Sequence, residues 1–205
     1  MNSRRLIFIS FLIFFISCNK PPVKKYFIMN YSPVPSNSSG EPYPFTLRIR
    51  DFSIEKAYSR SQIVYRRSPY EFSYYFYRNW AVKPADMITD LIYSHMTKSG
   101  LFEHTVRRLD EGYEPDFQLE GRINALEEYD SEDVWFAHLA YNIKLVNLRT
   151  GNTVYSRQFD FRKKVPKQGP EFVVKELSNI LDMSMRKALA DMDSVLSTSS
   201  IRIDK

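Results

Sequence analysis

The chain has 205 residues, enough for one domain with a substantial core, and 15% of them are aromatic while only 6 are glycine. Its net charge of +5 is small and scattered, and no basic stripe or nucleic-acid-binding motif is present, so we do not expect it to bind nucleic acid. The single cysteine, Cys18, excludes a disulfide bond within the chain.

Residues 1–17 have the layout of an export signal. Two arginines precede an almost entirely apolar run from Leu6 to Ile16, which is too short to span a bilayer because a spanning helix needs about 20 residues. A cysteine directly after the small residue Ser17 is typical of a bacterial lipoprotein processing site. We therefore predict a signal peptide over residues 1–17 and attachment of acyl chains such as palmitate to Cys18. An uncleaved short anchor is the alternative.

The chain after the signal begins with a short tether and then enters the predicted domain. Residues 18–25 form a polar tether that reaches only roughly 25 Å when extended, so the domain should stay close to the membrane. The domain covers residues 26–196 and opens with a strand at 26–31. After a proline-rich loop, clean alternation predicts a strand over 45–52, followed by a helical turn within 53–61.

A predicted hairpin follows, with strands over residues 62–66 and 70–77. Alternation in its second strand places Tyr70, Phe72, Tyr74 and Phe76 on one face, which we expect to be buried. The other face and the flanking arginines should then be exposed, and exposed tyrosine with arginine is typical of protein interfaces. The candidate partner-binding residues are Arg66, Arg67, Tyr75, Tyr77 and Arg78; an ordinary solvated surface is the alternative.

Two helices are predicted, over about residues 84–99 and 170–196. Pro84 suits the first helical position and Gly100 the left-handed position that closes a helix. Between the helices, a short strand near 103–108 precedes three long alternating strands, which we expect to pair as an antiparallel meander. Their ranges are 116–129, 135–148 and 153–164, and a break in alternation at Ala125 predicts a bulge.

The order of elements predicts a single α+β domain. We expect a mostly antiparallel sheet of about six to seven strands with both helices packed on one face, and a frayed tail over 197–205.

No pattern of reactive residues predicts an enzyme or a cofactor. The three histidines are not spaced as metal ligands, and the chain has no hydrolase elbow, dinucleotide-binding or phosphate-binding motif. His95 lies on the apolar stripe of the first helix, so a satisfied core position is expected. An acidic cluster could suggest a carboxylate pair or a cation site, but we expect it to be a solvated hairpin tip: Glu127, Glu128, Asp130, Glu132 and Asp133.

The order of several features resembles the ABC-type transport auxiliary lipoprotein family. They are the run Ile63–Arg66, then Pro69–Glu71, then Trp80, then a helix that ends in Ser99–Phe102. The similarity extends over about residues 26–196. It implies a non-catalytic lipoprotein that accompanies ABC transporters with MCE-type substrate-binding proteins, which move lipids across the bacterial envelope.

The resemblance also implies partners and a location. The protein would be held to the membrane through Cys18 and would dock a periplasmic MCE-domain component, and a homo-oligomer stays open. Because Asn19 rather than aspartate follows the cysteine, the expected location is the outer membrane, facing the periplasm. The alternative function is a lipid-binding module that itself carries lipid, in a pocket between helices and sheet lined by methionine and phenylalanine.

Overall fold

The computed structural model describes residues 22–33, 41–107, 112–131 and 133–198. The predicted signal peptide, Cys18 and residues 199–205 of the predicted tail lie outside the described residues. The described part contains nine strands and two α-helices. The strands are β1 (Lys25–Phe27), β2 (Tyr43–Ile49), β3 (Ser53–Ile54), β4 (Gln62–Ser68), β5 (Glu71–Trp80), β6 (Phe102–Val106), β7 (Phe117–Ser131), β8 (Val134–Asn147) and β9 (Thr153–Val165). The helices are α1 (Pro84–Ser99) and α2 (Pro170–Thr198), and a short 3-10 helix covers Lys56–Tyr58.

The strands form one mixed sheet, which corrects the prediction of a mostly antiparallel sheet with six to seven strands. Its order is β1-β5-β4-β7-β2-β6, while β3 also pairs with β7 and the β8–β9 hairpin continues from β7. Of the eight strand pairings in the described ranges, five are parallel and three antiparallel. Alternation could not reveal this, because the same pattern of side chains suits either direction of pairing.

The predicted meander is confirmed as the antiparallel set β7-β8-β9. The register shifts between Ile123 and Ala125, where the bulge was expected. Two residues earlier, Gly121 allows a close approach of three elements. A Cβ at this position would lie 2.3 Å from the Phe52 ring and 2.3 Å from the backbone oxygen of Asn142. Glycine therefore stands where the chain between β2 and β3 packs closely alongside β7.

Both predicted helices are confirmed, and both pack on one face of the sheet. Helix α1 begins at Pro84, and Gly100 closes it with a φ of 65°. The Tyr141 hydroxyl of β8 lies 2.7 Å from the Ser184 hydroxyl of α2, and the backbone of Phe52 donates to Thr89 of α1. Neither helix in the described ranges is long and apolar enough to cross a membrane.

The segment that follows β1 is fixed to both helices. Met29 is buried, and its backbone N–H donates to the sulfur of Met87 in α1 at 3.3 Å. The next N–H, of Asn30, donates to Ser178 of α2 at 3.1 Å. This places the start of the domain firmly against its body, although the strand itself is only three residues long and shorter than predicted.

His95 lies in the core as expected, but it is only half satisfied, because Nε2 is buried without a hydrogen-bond partner among the described residues. Its ring is buried, and Nδ1 lies 3.1 Å from the hydroxyl of Tyr31. Burial lowers the pKa of His95 to about 4, although the nearby Asp182 carboxylate acts in the opposite direction. The imidazole is therefore a neutral packing group that ties the N-terminal segment to α1.

Candidate docking surface

The β4–β5 hairpin carries arginine side chains stacked on its aromatic rings. The guanidinium carbon of Arg66 lies 4.8 Å from the centre of the Phe72 ring, and that of Arg60 lies 4.5 Å from the centre of the Tyr74 ring. Contacts of this type are worth about 0.5–1 kcal/mol at exposed sites. They hold guanidinium groups in defined places on the surface of the hairpin.

The aromatic side chains of this hairpin do not form the buried face that was predicted. Tyr70 is 97% exposed and Phe76 is 83% exposed. Phe72 and Tyr74 do share a face, as their register with β4 shows, but Phe72 is exposed and Tyr74 only partly covered. The alternation identifies side chains that share a face, whereas the position of the helices decides which face is covered.

Tyr75, which was expected to face outward, is instead half-buried against the core. Its hydroxyl donates a hydrogen bond of 3.0 Å to Glu128, a buried residue of β7. Its ring lies 4.8 Å from that of Tyr65, and the Arg67 guanidinium covers Tyr65 from the solvent side at 5.7 Å. Tyr75 therefore supports the hairpin from within, while Arg67 is the exposed member of the group.

The prediction that the acidic cluster is solvated is wrong for Glu128 and Asp130. Both side chains are buried on β7, and Asp130 accepts a hydrogen bond of 3.3 Å from Gln168. Burial, assisted by the Asp130 carboxylate and opposed by the hydrogen bond from the Tyr75 hydroxyl, raises the pKa of Glu128 to about 7. Glu128 Oε1 and Asp130 Oδ1 are buried without hydrogen-bond partners among the described residues, and a protonated Glu128 can donate to Asp130.

Glu127 points to the opposite side of β7 and belongs to a separate buried network. The Tyr58 hydroxyl donates to it at 2.7 Å, and Nδ1 of His138 lies 2.8 Å from its other oxygen. Nε2 of His138 lies 3.0 Å from Asp160 on β9. The Arg66 Nε is 3.7 Å from Glu127 and compensates its charge. This network joins four strands and the 3-10 helix, so its arrangement serves to hold β4 against the meander.

The predicted partner-binding residues fall into two groups. Tyr75, Tyr77 and Arg78 line a cleft of about 490 Å³ between β5 and the start of α2, together with Pro22, Phe76 and Gln168–Glu171. Arg66 and Arg67 lie on β4, nearer the turn of the hairpin, and are not part of this cleft. Sequence reasoning missed the exposure of Tyr70, although its place directly after Pro69 in the turn was a usable signal.

Two other clefts lie on the charged side of the sheet. They measure about 380 and 450 Å³ and are lined mainly by polar residues such as Arg50, Asp51 and Gln118. The methionines that the lipid-carrier alternative places around a pocket are instead members of the packed core, among them Met87, Met96 and Met185. Within the described ranges, no group of three or more His, Cys, Asp or Glu side chains could hold a metal ion.

Similar solved structures have the same fold at low sequence identity. A crystal structure of protein XCC0632 from Xanthomonas campestris is 17% identical, with a TM-score of 0.74, and the match covers 86% of this chain and 99% of that one. A hypothetical protein, CT253 from Chlamydia trachomatis, is 6% identical with a TM-score of 0.53, over 76% of this chain and 99% of that one. These similarities establish the fold alone. No curated protein matches the chain.

The sequence model of one family matches most of the domain. It is the family described as ABC-type transport auxiliary lipoprotein component, and the match covers residues 29–187. This range begins at the buried Met29, just after β1, and ends in the second half of α2. It includes the whole β4–β5 hairpin. The chain therefore belongs to the family of ABC-type transport auxiliary lipoprotein components.

Proposed function

We propose that the protein is a non-catalytic lipoprotein that is held in the outer membrane by acyl chains on Cys18, faces the periplasm, and serves an MCE-type ABC lipid transporter. Membership of the auxiliary lipoprotein family supports the transport role. The observation that carries the docking role is the exposed free end of the β4–β5 hairpin. We call this surface the hairpin tip and define it by the exposed Arg67, Tyr70 and Phe72 together with Arg66, whose side chain is mostly covered.

The composition of the hairpin tip favours a protein partner. Tyrosine and arginine are enriched among the residues that dominate binding energy, where truncation costs about 2 kcal/mol or more. Tyr70 is 97% exposed. A fully solvated aromatic ring gains nothing from packing within the domain, so the fold does not account for a tyrosine at this position. The ring of Phe72 lies against the Arg66 guanidinium, which limits the conformational freedom that binding would have to remove.

The hairpin tip also lies far from the N-terminal strand. Strand β1 pairs with Arg78–Trp80 at the base of the hairpin, whereas the turn lies between Ser68 and Glu71. At about 3.3 Å per residue, this stretch of β5 spans roughly 25 Å. Because β1 is parallel to β5, the chain before Lys25 returns along β5, and Pro22 lines the cleft at Tyr75, which is four residues or roughly 13 Å from Glu71. The tip therefore projects beyond the level of Pro22, where a periplasmic component can reach it.

The test is co-purification of the acylated full-length protein with the MCE-domain component of its transporter. Arg67→Glu combined with Tyr70→Ala should reduce the recovered partner at least roughly tenfold, since it removes two exposed anchors and reverses a charge. Both residues are exposed, so the domain should keep its stability.

The matched control is Arg149→Glu, an exposed charge reversal in the β8–β9 turn whose ion pair with Asp116 is worth at most about 1 kcal/mol. This control should recover the partner as the unchanged protein does. Equal recovery with the hairpin-tip variant and the control would contradict the docking role.

A further inference from the structure

The edge of the sheet at β1 exposes a group of large apolar side chains. Val23 is 78% exposed and Tyr26 64%, and Ile28 is exposed as well. On the neighbouring strand, Phe76 is 83% exposed and Tyr77 is also accessible. The parallel register places Tyr26 beside Asn79 of β5, so these side chains lie along one edge. We call this surface the anchor edge.

The anchor edge lies close to the predicted site of acylation. Pro22 lines the same cleft as Phe76 and Tyr77, and it is four residues after Cys18 in the chain. Four residues span at most roughly 14 Å when fully extended. Acyl chains on Cys18 would therefore enter the bilayer within this distance of Pro22, and the bilayer surface cannot lie far from the anchor edge.

The charges around the anchor edge suit a phospholipid surface. Lys24 and Lys25 are exposed within it, and Arg78 lies beside Tyr77. Aromatic side chains prefer the interface between headgroups and acyl chains, and each basic residue near an anionic membrane contributes about 1 kcal/mol. Glu171, on the opposite wall of the cleft, is the acidic side chain nearest to this group among the cleft residues.

We propose that the anchor edge lies in the headgroup region of the membrane, with Tyr26, Phe76 and Tyr77 in contact with phospholipid. This inference rests on the acylation of Cys18 in the proposed function and adds an orientation to it. The domain is then fixed at two places, by the acyl chains and by the anchor edge, and does not swing freely on its tether. With only three residues, β1 offers a second copy of the chain a short edge for strand pairing, which favours lipid over a protein neighbour.

The test uses nitroxide labels on the acylated full-length protein in vesicles of phosphatidylethanolamine and phosphatidylglycerol. Because Cys18 is the only cysteine and is consumed by acylation, Phe76→Cys gives a single reactive thiol, and Thr150→Cys in the β8–β9 turn gives the matched control. The accessibility of each label to oxygen, which concentrates in the bilayer, and to a water-soluble nickel chelate is then measured.

The label at position 76 should be more accessible to oxygen and less accessible to nickel than the label at position 150. Equal nickel accessibility at both positions on vesicle-bound protein would overturn the membrane contact while leaving the anchor intact. Shielding of position 76 from both reagents, with spin–spin broadening, would assign the edge to a second copy and overturn it as well. Protein that fails to stay on the vesicles would contradict the acylation itself, and with it the orientation.

Discussion

At the scale of single residues, Glu128 makes the stability of the domain depend on pH. Its pKa of about 7 lies above the ordinary value of 4.5, so folding favours the protonated form. The stability that this proton confers is fully present below about pH 4.5 and is lost as the pH rises through 7. The buried site therefore holds a neutral acid more readily than a carboxylate.

Glu128→Gln should stabilise the domain at about pH 8, on the order of 2 kcal/mol, and have little effect near pH 5. Glutamine is neutral at both values and can still accept from Tyr75 and donate toward Asp130. Chemical denaturation at the two pH values measures this, with the exposed Glu114→Gln as the control. If Glu128→Gln changes the free energy of unfolding by the same amount at pH 8 and at pH 5, the buried neutral acid is contradicted.

The burial of Glu128 could not be predicted from the sequence. Glu127 and Glu128 are adjacent acidic residues near a hairpin end, where solvation is the common arrangement. Their burial depends on Tyr58 and Tyr75, which are distant in sequence and supply the hydrogen bonds. By contrast, His95 could be placed in the core, because it lies on the apolar stripe of a helix with clear ends.

At the scale of elements, the close packing of β7 against the segment between β2 and β3 depends on the absence of a side chain at Gly121. Gly121→Ala would place a methyl group 2.3 Å from both the Phe52 ring and the Asn142 oxygen. Because the oxygen belongs to the backbone of β8, it cannot move without distorting the meander. We expect a loss of about 1–3 kcal/mol in the free energy of unfolding.

This loss corresponds to a decrease in Tm of about 2–12 °C for a domain of this size, which calorimetry resolves. Gln158→Ala, on an exposed position of β9, is the control and should change the free energy of unfolding by less than about 0.5 kcal/mol. Equal Tm values for Gly121→Ala and Gln158→Ala would contradict the close packing at Gly121.

The helices could be predicted almost to the residue, and the pairing of strands could not. Pro84 and Gly100 mark the ends of α1 through backbone chemistry that acts locally. The parallel pairings of β4 and β2 with β7 join segments that are far apart in sequence, and no local pattern encodes them. For the same reason, alternation identified the aromatic face of β5 but not which face the helices cover.

At the scale of the whole molecule, the domain has two exposed surfaces along the β4–β5 hairpin. The anchor edge, with Tyr26 and Phe76, lies beside the N-terminal segment, and the hairpin tip, with Arg67 and Tyr70, begins about six residues or roughly 20 Å from Phe76 along the hairpin. We propose that the first contacts the membrane and that the second docks a transporter component. The order of motifs could indicate the family, but these surfaces required the tertiary structure.

The central claim of this account is that acyl chains on Cys18 hold the domain at the membrane. Cells that express the full-length protein in the presence of labelled palmitate should incorporate the label into the unchanged chain and not into Cys18→Ser. The same substitution should release the protein from the membrane fraction, while Ser32→Ala, within the domain, should leave it there. A chain that takes up no palmitate, or that labels equally with serine at position 18, would contradict the account.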